Sequence, residues 1–465
     1  MTNSDHYKSQ LIQELLQQPD ILPDFLVKEE ALADSALNES RSYHTSSDLN
    51  KNQFVVYNET GKTNTRASIQ SMLTKALKGQ NVIIVVIGES VSIGADLGSN
   101  NTRLVYQQLV AEWWNNTIGK ITGSYMIVKT VAVGGVSSTY FGRCWKEYLM
   151  RVQPFDFVMW EFNINDYSQS DLDVMRSIEH FIRDFYTTYM RTPSLFVLFQ
   201  QKRFESSSKA NHINPSVEGN SANVTNFLAH HYSISTVVSV IDKNHYERFY
   251  SKRHPSPEAH QQMAAFIVEL FRFVLLNILS YNSIVTVSPE HSQIPSLASP
   301  LYVGDDAGDV VCWNAIYPNF KDLSWNDHLL FDLPYNKSDG VTLIKDGWLD
   351  VEEMRYDLIG GFSFGKPNQK LTLNLPILLL ENRPQKKRTL SLAIKRKISQ
   401  TNIFLQVNNN GRTVISKNET FDSFHSLDKL YVVDFNDYEI VHGECLLEIT
   451  FLEGLEFILS AVIIS

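Results

Sequence analysis

Five short runs of apolar, mostly β-branched residues alternate with helical segments between residues 82 and 279 of this 465-residue chain. The runs cover residues 82–87, 125–133, 155–162, 195–199 and 236–241. A run that is apolar throughout is typical of a strand covered on both faces, and strands separated by helices form parallel sheets. The pattern therefore predicts a doubly wound α/β domain built on a parallel five-stranded sheet.

The pattern changes after Pro295. Short strand-like segments follow one another, separated by turns rich in Asn, Gly, Asp and Lys, and strong helical periodicity is absent. This predicts a C-terminal all-β, sandwich-like domain over residues 296–465. The α/β domain is expected over residues 66–290, and residues 1–65 are expected to form a helical or flexible N-terminal arm.

Composition narrows the function classes. Hydrophobic residues make up 43% of the chain, which is ordinary for a globular protein. The net charge is −10, which argues against generic nucleic-acid binding, since that needs a basic face. Three widely spaced cysteines, Cys144, Cys312 and Cys445, match no metal-binding spacing, and we expect neither a disulfide framework nor a zinc site.

Neither the N-terminal residues nor the longest apolar stretch has the pattern of a targeting signal. The residues after Met1 are polar and lack the apolar core of a signal peptide. The apolar stretch at 263–279 contains Glu269 and Arg272, which indicates a buried amphipathic helix and no membrane span. We therefore expect a soluble, cytoplasmic protein without a transmembrane segment.

Polar and small residues follow the predicted strands. Ser90 comes after the first strand, Gly134-Gly135 after the second, Asn165 after the third and His254 after the fifth. Ligands of an open parallel sheet bind at the carboxyl ends of its strands. A serine, a glycine turn, an amide and a histidine at one edge are the parts of an acyl-transfer site.

These residues resemble the four sequence blocks of the SGNH (GDSL-type) hydrolase superfamily. Gly88-Glu89-Ser90 is similar to the GDS block, with Glu in place of Asp, and Gly135 is similar to the block-two glycine. Asn165-Asp166 resembles the asparagine block, although Asn163 replaces its usual glycine, and His254-Pro255 resembles the histidine block. The resemblance covers roughly residues 82–270.

The resemblance implies a flavodoxin-like sheet and esterase, lipase or carbohydrate O-acyl chemistry without a metal or organic cofactor. It implies that Ser90 Oγ attacks an ester carbonyl and that His254 is the general base. The oxyanion hole would consist of the backbone N–H groups of Ser90 and Gly135 and the side-chain amide of Asn165.

Supporting roles fall to three further residues. Glu89 is expected to support the nucleophile turn, and Asp166 to tie down the asparagine loop. Position 251, where the family usually has the aspartate that orients the histidine, is Ser251 here. Its hydroxyl could bond the imidazole, a backbone carbonyl could leave a Ser–His dyad, or Asp242 or Glu247 could take the role.

Structural interpretations stand beside these roles. Ser90 could be a helix cap, Asn165 could satisfy a loop backbone and His254 could be a surface histidine. We expect Glu161 to make a structural hydrogen bond and His260 to pack in the core.

The leading hypothesis is a serine-dependent ester hydrolase acting on an acylated small molecule or glycan through an acyl-serine intermediate. The alternatives are an O-acyltransferase of the same fold, or a catalytically impaired binding module, which Ser251 favours. The sequence leaves the oligomeric state open.

Overall fold

The structure is a computed structural model, and it describes most of the chain. The described residues are 10–11, 13–14, 54–57, 64–98, 102–166, 171–189, 194–201, 225, 227–229, 231–232, 234–241, 250–251, 254–280, 299–301, 310–317, 330, 332–339, 341–344, 348–351, 354–359, 361–377, 388–396, 401–421, 430–438, 440, 443–454 and 457–464.

The chain divides into two compact units. The first comprises Met1–Ala132 and Arg151–Gly304, and the second comprises Val133–Met150 and Asp305–Ser465. A stretch of 18 residues that the sequence pattern places inside the α/β region thus belongs to the second unit.

A six-stranded sheet forms the centre of the first unit, in the order β1-β6-β5-β4-β2-β3. Its strands are β1 Phe54–Tyr57, β2 Val82–Gly88, β3 Met126–Ala132, β4 Phe157–Glu161, β5 Ser194–Gln201 and β6 Ser235–Ile241. Strands β2 to β6 run parallel to their neighbours. Strand β1 pairs antiparallel with β6 at the edge, in a segment that we had expected to belong to the N-terminal arm.

Helices follow most of these strands. They are α1 Asn64–Leu77, α2 Ser90–Ile93, α3 Tyr106–Trp114, α4 Ser138–Leu149, α5 Asn163–Asp166, α6 Asp171–Thr188 and α7 Pro257–Ser280, with 3₁₀ turns at Thr102–Leu104 and Met150–Val152. A π-helical segment, Asn115–Gly119, and a short helix, Lys120–Thr122, continue α3. A small two-stranded ladder, β7 Tyr250–Ser251 and β8 His254–Pro255, precedes α7.

Helix α7 lies in the core of the first unit with α1, α3 and strand β2. By length and composition alone, it is the one helix among the described residues that could span a membrane, but 82% of its most apolar window is buried. The prediction of a buried helix at 263–279 is therefore confirmed.

Antiparallel sheets build the second unit. The strands are β9 Val311–Asn314, β10 Ile316–Tyr317, β11 Tyr335–Lys337, β12 Thr342–Ile344, β13 Trp348–Val351, β14 Met354–Ile359, β15 Gly361–Phe364, β16 Lys370–Ile377, β17 Arg388–Arg396, β18 Thr401–Asn409, β19 Arg412–Phe421, β20 Leu430–Tyr438, β21 Gly443–Gly454 and β22 Phe457–Ile464. One sheet has the order β11-β16-β21-β18-β19, and another has the order β12-β15-β22-β17-β20 with β9 beside β22. A third, smaller sheet has the order β10-β14-β13.

The two larger sheets share one apolar core. Strand β18 alternates buried and half-buried side chains along its whole length, as a strand with one face on a core does. Leu405 of β18 and Leu392 of β17, which belong to different sheets, are both fully buried in the same cluster. Two antiparallel sheets packed on a common core form a β-sandwich, in agreement with the sequence.

A disulfide and an ion pair connect helix α4 to the β strands of this unit. Cys144 of α4 forms a disulfide with Cys312 of β9, so the expectation of no disulfide is wrong. The two cysteines are 168 residues apart, and only the packing of α4 beside β9 brings them together. The Arg143 guanidinium also binds both carboxylate oxygens of Asp434, with an Nη2–Oδ2 distance of 2.7 Å.

Candidate active site

Ser90 lies at the carboxyl edge of the parallel sheet. Strand β2 ends at Gly88, Glu89 follows in an extended conformation, and helix α2 begins at Ser90. Ser90 is half-buried, so it retains contact with solvent. The local sequence explains this geometry, because an apolar β-branched run ends at a glycine and a serine opens a helix.

His254 lies near Ser90 in the fold, although the two residues are 164 positions apart in the sequence. It forms strand β8, which pairs antiparallel with β7 through Ser251 and His254. Elements α2 and β8 approach within 8 Å between Cα atoms. The structure therefore brings the predicted nucleophile segment and the predicted base segment together.

A carboxylate that sequence reasoning missed binds the histidine. Asp96 Oδ2 lies 2.8 Å from Nδ1 of His254. Both side chains are partly exposed, at 26% for Asp96 and 21% for His254. Asp96 follows helix α2 directly and has a φ of 67°, a left-handed conformation that Asp tolerates better than most residues.

This hydrogen bond determines what the imidazole can do. A carboxylate at Nδ1 holds the proton on that nitrogen and leaves Nε2 as the basic atom. It also stabilises the imidazolium that forms when Nε2 takes up a proton. His254 thus has the partner that a general base needs, although position 251 is a serine.

The three side chains that the sequence offered for orienting His254 are not among those that the structure describes. The backbone of Ser251 pairs with His254, but its side chain lies outside the described residues, as do Asp242 and Glu247. No pattern in the sequence distinguishes Asp96 from other aspartates. The only available signal is its place between Gly94 and Gly98, because closely spaced glycines are typical of a turn.

The asparagine block is tied to the nucleophile block through Glu89. Oε1 of this fully buried carboxylate accepts the backbone N–H groups of Ile164, at 3.0 Å, and Asn165, at 3.1 Å. Asn165 and Asp166 are also buried, in the short helix α5 that follows β4. The structure thus places Ser90 and Asn165 on adjoining segments, and Glu89 connects the two.

Gly135, the predicted block-two glycine, belongs to the second unit. It has a φ of 71°, a conformation that side-chain-bearing residues rarely adopt. Its carbonyl oxygen accepts the backbone N–H of Leu430 at 2.9 Å. Its role as an oxyanion donor stays a prediction from the resemblance.

Behind helix α2 lies a buried polar network. The Ser92 hydroxyl donates to Oε2 of Glu161 at 2.9 Å and lies 3.0 Å from the Tyr106 hydroxyl. Burial raises the pKa of Glu161 to about 7, against hydrogen bonds from Ser92 and Glu89 that lower it, and the charge of Asp166 raises it further. Glu161 makes the structural hydrogen bond that the sequence predicted.

His260 packs in the core, also as predicted. It is fully buried and stacks on Tyr106 with 6.1 Å between ring centroids. Burial, with a smaller contribution from the charge of His254, lowers the pKa of His260 to about 3. His260 is therefore neutral at physiological pH and does not compete with His254 as a base.

Metal ligands do not cluster within the described part of the chain. No group of three or more His, Cys, Asp or Glu side chains there is arranged to hold a metal ion. The groups that do lie close together are the segment that begins with Ser90, the imidazole of His254 and the carboxylate of Asp96. Such a set suits nucleophilic and acid–base chemistry.

This chain is similar to known proteins in its fold, whereas sequence comparisons find no match. No protein-family model matches the sequence, and no curated protein sequence matches it. Among solved structures, the chain is similar to a two-domain esterase (CEX) active on acetylated mannans, with a TM-score of 0.57 and 17% identity. That alignment covers 85% of this chain and 94% of the esterase.

Two further structures extend the comparison. The same esterase co-crystallised with mannopentaose aligns with a TM-score of 0.55 over the same shares of both chains, at 17% identity. The structure of TesA aligns over 42% of this chain and 99% of its own, with 13% identity and a TM-score of 0.32. The chain shares the fold of this two-domain esterase over 85% of its own length.

Proposed function

We propose that this chain is a serine-dependent ester hydrolase. The observation that carries the proposal is the hydrogen bond between Asp96 and His254, made beside the helix that begins at Ser90. A hydroxyl at a sheet edge becomes a strong nucleophile only when an oriented base lies next to it. The fold shared with a two-domain esterase supports the same conclusion.

The reaction proceeds in two halves. In the first half, Ser90 Oγ attacks the ester carbonyl carbon while Nε2 of His254 takes the hydroxyl proton. The tetrahedral intermediate collapses, the bond to the alcohol oxygen breaks, and His254 returns the proton to the leaving alcohol. In the second half, His254 takes a proton from water as the water oxygen attacks the acyl-serine carbonyl carbon. The bond to Ser90 Oγ then breaks, His254 returns the proton to Ser90 Oγ, and the carboxylic acid leaves.

The negative charge that develops on the carbonyl oxygen in the tetrahedral intermediate needs hydrogen-bond donors to stabilise it. The backbone N–H group of Ser90 and the side-chain amide of Asn165 take this role in the proposal. One such donor stabilises the transition state by about 3 kcal/mol. Asp96 stabilises the imidazolium and holds the ring in one tautomer.

The substrate class is an O-acylated carbohydrate. The similar two-domain esterase is active on acetylated mannans, and this chain covers most of its length. A glycan ester therefore ranks ahead of a lipid ester for this chain. The impaired binding module becomes the weaker alternative, because it rested on Ser251 and His254 has Asp96 as a carboxylate partner.

The Cys144–Cys312 disulfide adds a proposal about location. Cytosolic thiols are kept reduced, and structural disulfides persist in oxidising compartments. We therefore propose that the chain acts outside the cytoplasm, in contrast to the expectation from its polar N-terminal residues. Thiol titration of unreduced protein checks this, with one reactive cysteine expected after unfolding and three if the disulfide is absent.

The test is labelling with a fluorophosphonate probe, which reacts only with an activated serine. Wild-type protein is expected to be labelled, and the Ser90→Ala and His254→Ala variants are not. Ser71→Ala, an exposed serine in α1, is the matched control and should be labelled like wild type. Acetate release from acetylated mannan then tests the substrate class, and folded wild-type protein that resists the probe would refute the proposal.

A further inference from the structure

Glu89 connects the segment of Ser90 to the segment of Asn165. It stands immediately before Ser90, and its side chain is fully buried. As described above, its carboxylate accepts the backbone N–H groups of Ile164 and Asn165. The residue next to the proposed nucleophile thus holds the backbone of the proposed oxyanion donor.

Glu161 makes the reciprocal connection. It ends strand β4, just before the asparagine segment, and is also fully buried. Its carboxylate accepts the hydroxyl of Ser92, and backbone hydrogen bonds from Glu89 and Ser92 favour its ionised form. Strands β2 and β4 pair in register with Gly88 opposite Glu161, so the two glutamates leave neighbouring strands at almost the same level.

Stability alone does not explain this arrangement. Burying a carboxylate costs several kcal/mol, and well-packed apolar residues are often as stabilising as a buried polar pair. A hydrogen bond to a carboxylate is instead directional, and it restricts the relative position of the groups that it joins. The two glutamates therefore favour precise placement of the segments that they join.

We propose that Glu89 and Glu161 form a double brace that sets the position of Ser90 relative to Asn165. Each glutamate lies on one segment and binds the other, so the two segments cannot slide past each other without breaking hydrogen bonds at both ends. The inference rests on the proposed function, in which Ser90 is the nucleophile and Asn165 the oxyanion donor. Both glutamates are positioning residues, since neither is proposed to touch the substrate.

Gly88 provides the space that the brace needs. A Cβ atom at this position would overlap the Ser92 hydroxyl and approach the carbonyl oxygen of Glu161 to 3.1 Å. Only glycine therefore lets the Ser92–Glu161 hydrogen bond pass close to the end of β2. A Gly88→Ala change should weaken the brace without altering either carboxylate.

The test measures kcat and KM for p-nitrophenyl acetate in Glu89→Ala and Glu161→Ala. Misplacing a reacting group by about 1 Å costs about 100-fold in rate, so we expect kcat to fall by about that factor while KM stays within about twofold. Glu→Gln at the same positions keeps an oxygen acceptor and should restore much of kcat. Loss and partial rescue together distinguish positioning from general destabilisation.

Glu179 is the matched control for the brace. It is a fully buried glutamate of the same unit that accepts the Tyr232 hydroxyl at 2.5 Å and the Leu301 N–H at 2.7 Å, and it lies on neither of the two braced segments. Glu179→Ala should lower the melting temperature and leave kcat unchanged. If it lowers kcat as much as Glu161→Ala does, the brace has no special role and the inference is wrong.

Two outcomes separate the inference from the proposed function. An active wild type whose folded brace variants keep their kcat overturns the brace alone. A wild type that neither hydrolyses ester nor reacts with the fluorophosphonate probe overturns the function and the brace with it. If the glutamate variants do not fold, Ser92→Ala tests the brace instead, because it removes only the hydroxyl that donates to Glu161. A decrease in kcat of about tenfold would support the brace, and an unchanged kcat would overturn it.

Discussion

Glu161 links the stability of the first unit to pH. The carboxyl group is fully buried, and its pKa rises from 4.5 to about 7 on folding, chiefly because burial disfavours the charge. Between these two values the folded protein keeps a proton that the unfolded chain has released. Raising the pH through this window therefore lowers the free energy of unfolding.

The size of the effect follows from the two pKa values. Each unit of difference corresponds to about 1.4 kcal/mol, so the full contribution is about 3 kcal/mol once the pH exceeds both values. Most of this change, about 2 to 3 kcal/mol, falls between about pH 5 and about pH 8. Below the unfolded value both states are protonated, and the contribution disappears.

A second group acts in the opposite direction in part of this range. His260 has its pKa lowered to about 3, so the unfolded chain binds a proton there that the folded protein does not. The free energy of unfolding consequently rises with pH until the unfolded histidine is neutral. A wild-type profile alone would mix the two effects, and the comparison of wild type with Glu161→Gln cancels that of His260.

Native-state hydrogen exchange of the peptides that contain β2 and β4 is the appropriate assay. It reports on the first unit separately, whereas a global denaturation curve combines two units. After correction for intrinsic exchange, the difference in unfolding free energy between Glu161→Gln and wild type should shift by about 2 to 3 kcal/mol in favour of the variant from about pH 5 to about pH 8. Glu112→Gln, an exposed residue of α3, serves as the control. A pH-independent difference for Glu161→Gln would refute the reasoning.

Three further predictions concern the site and the β domain. Asp96→Asn should lower kcat for p-nitrophenyl acetate by about 100- to 1000-fold. This is less than the ~10⁴-fold loss for a buried triad aspartate, because the Asp96 side chain is 26% exposed. Full activity of the variant would exclude Asp96 as the partner of His254. Cys144→Ser should destabilise the second unit by about 4 kcal/mol, because the bond to Cys312 closes a long loop in the unfolded chain, and an unchanged melting transition with and without reductant would contradict this. Leu405→Ala, at a fully buried position of the sandwich core, should cost about 3 kcal/mol in urea unfolding, whereas a loss below about 1 kcal/mol would show a looser core than the structure has.

Much of the fold could be predicted because it follows from local patterns. Continuous apolar runs such as 82–87 became buried strands, since a strand covered on both faces has no polar positions. The edge strand Phe54–Tyr57 was missed. Its residues 54–57 are apolar, but the run is only four residues long and stands between polar residues, and the sequence does not show that it pairs with the edge of β6.

The candidate site was predictable only in part, for a related reason. Ser90 and His254 stand after predicted strands, so the rule that parallel strands end at one edge placed them together. Asp96 stands in a turn, and its importance comes from a hydrogen bond to a residue 158 positions later. Glu161 was correctly expected to make a structural hydrogen bond, but its partner Ser92 could not be named.

The sequence by itself determined which segments are strands and helices, where the α/β pattern changes to β, and which strand ends carry a hydroxyl, an amide and an imidazole. Periodicity and turn residues act over a few neighbouring positions, and they are legible in one dimension. Tertiary structure alone decided that Asp96 binds His254, that Glu89 accepts the Ile164 N–H while Glu161 accepts the Ser92 hydroxyl, and that Cys144 bonds to Cys312. Those contacts join residues 69 to 168 positions apart, and their energies depend on distance and burial in space, which a linear pattern does not contain.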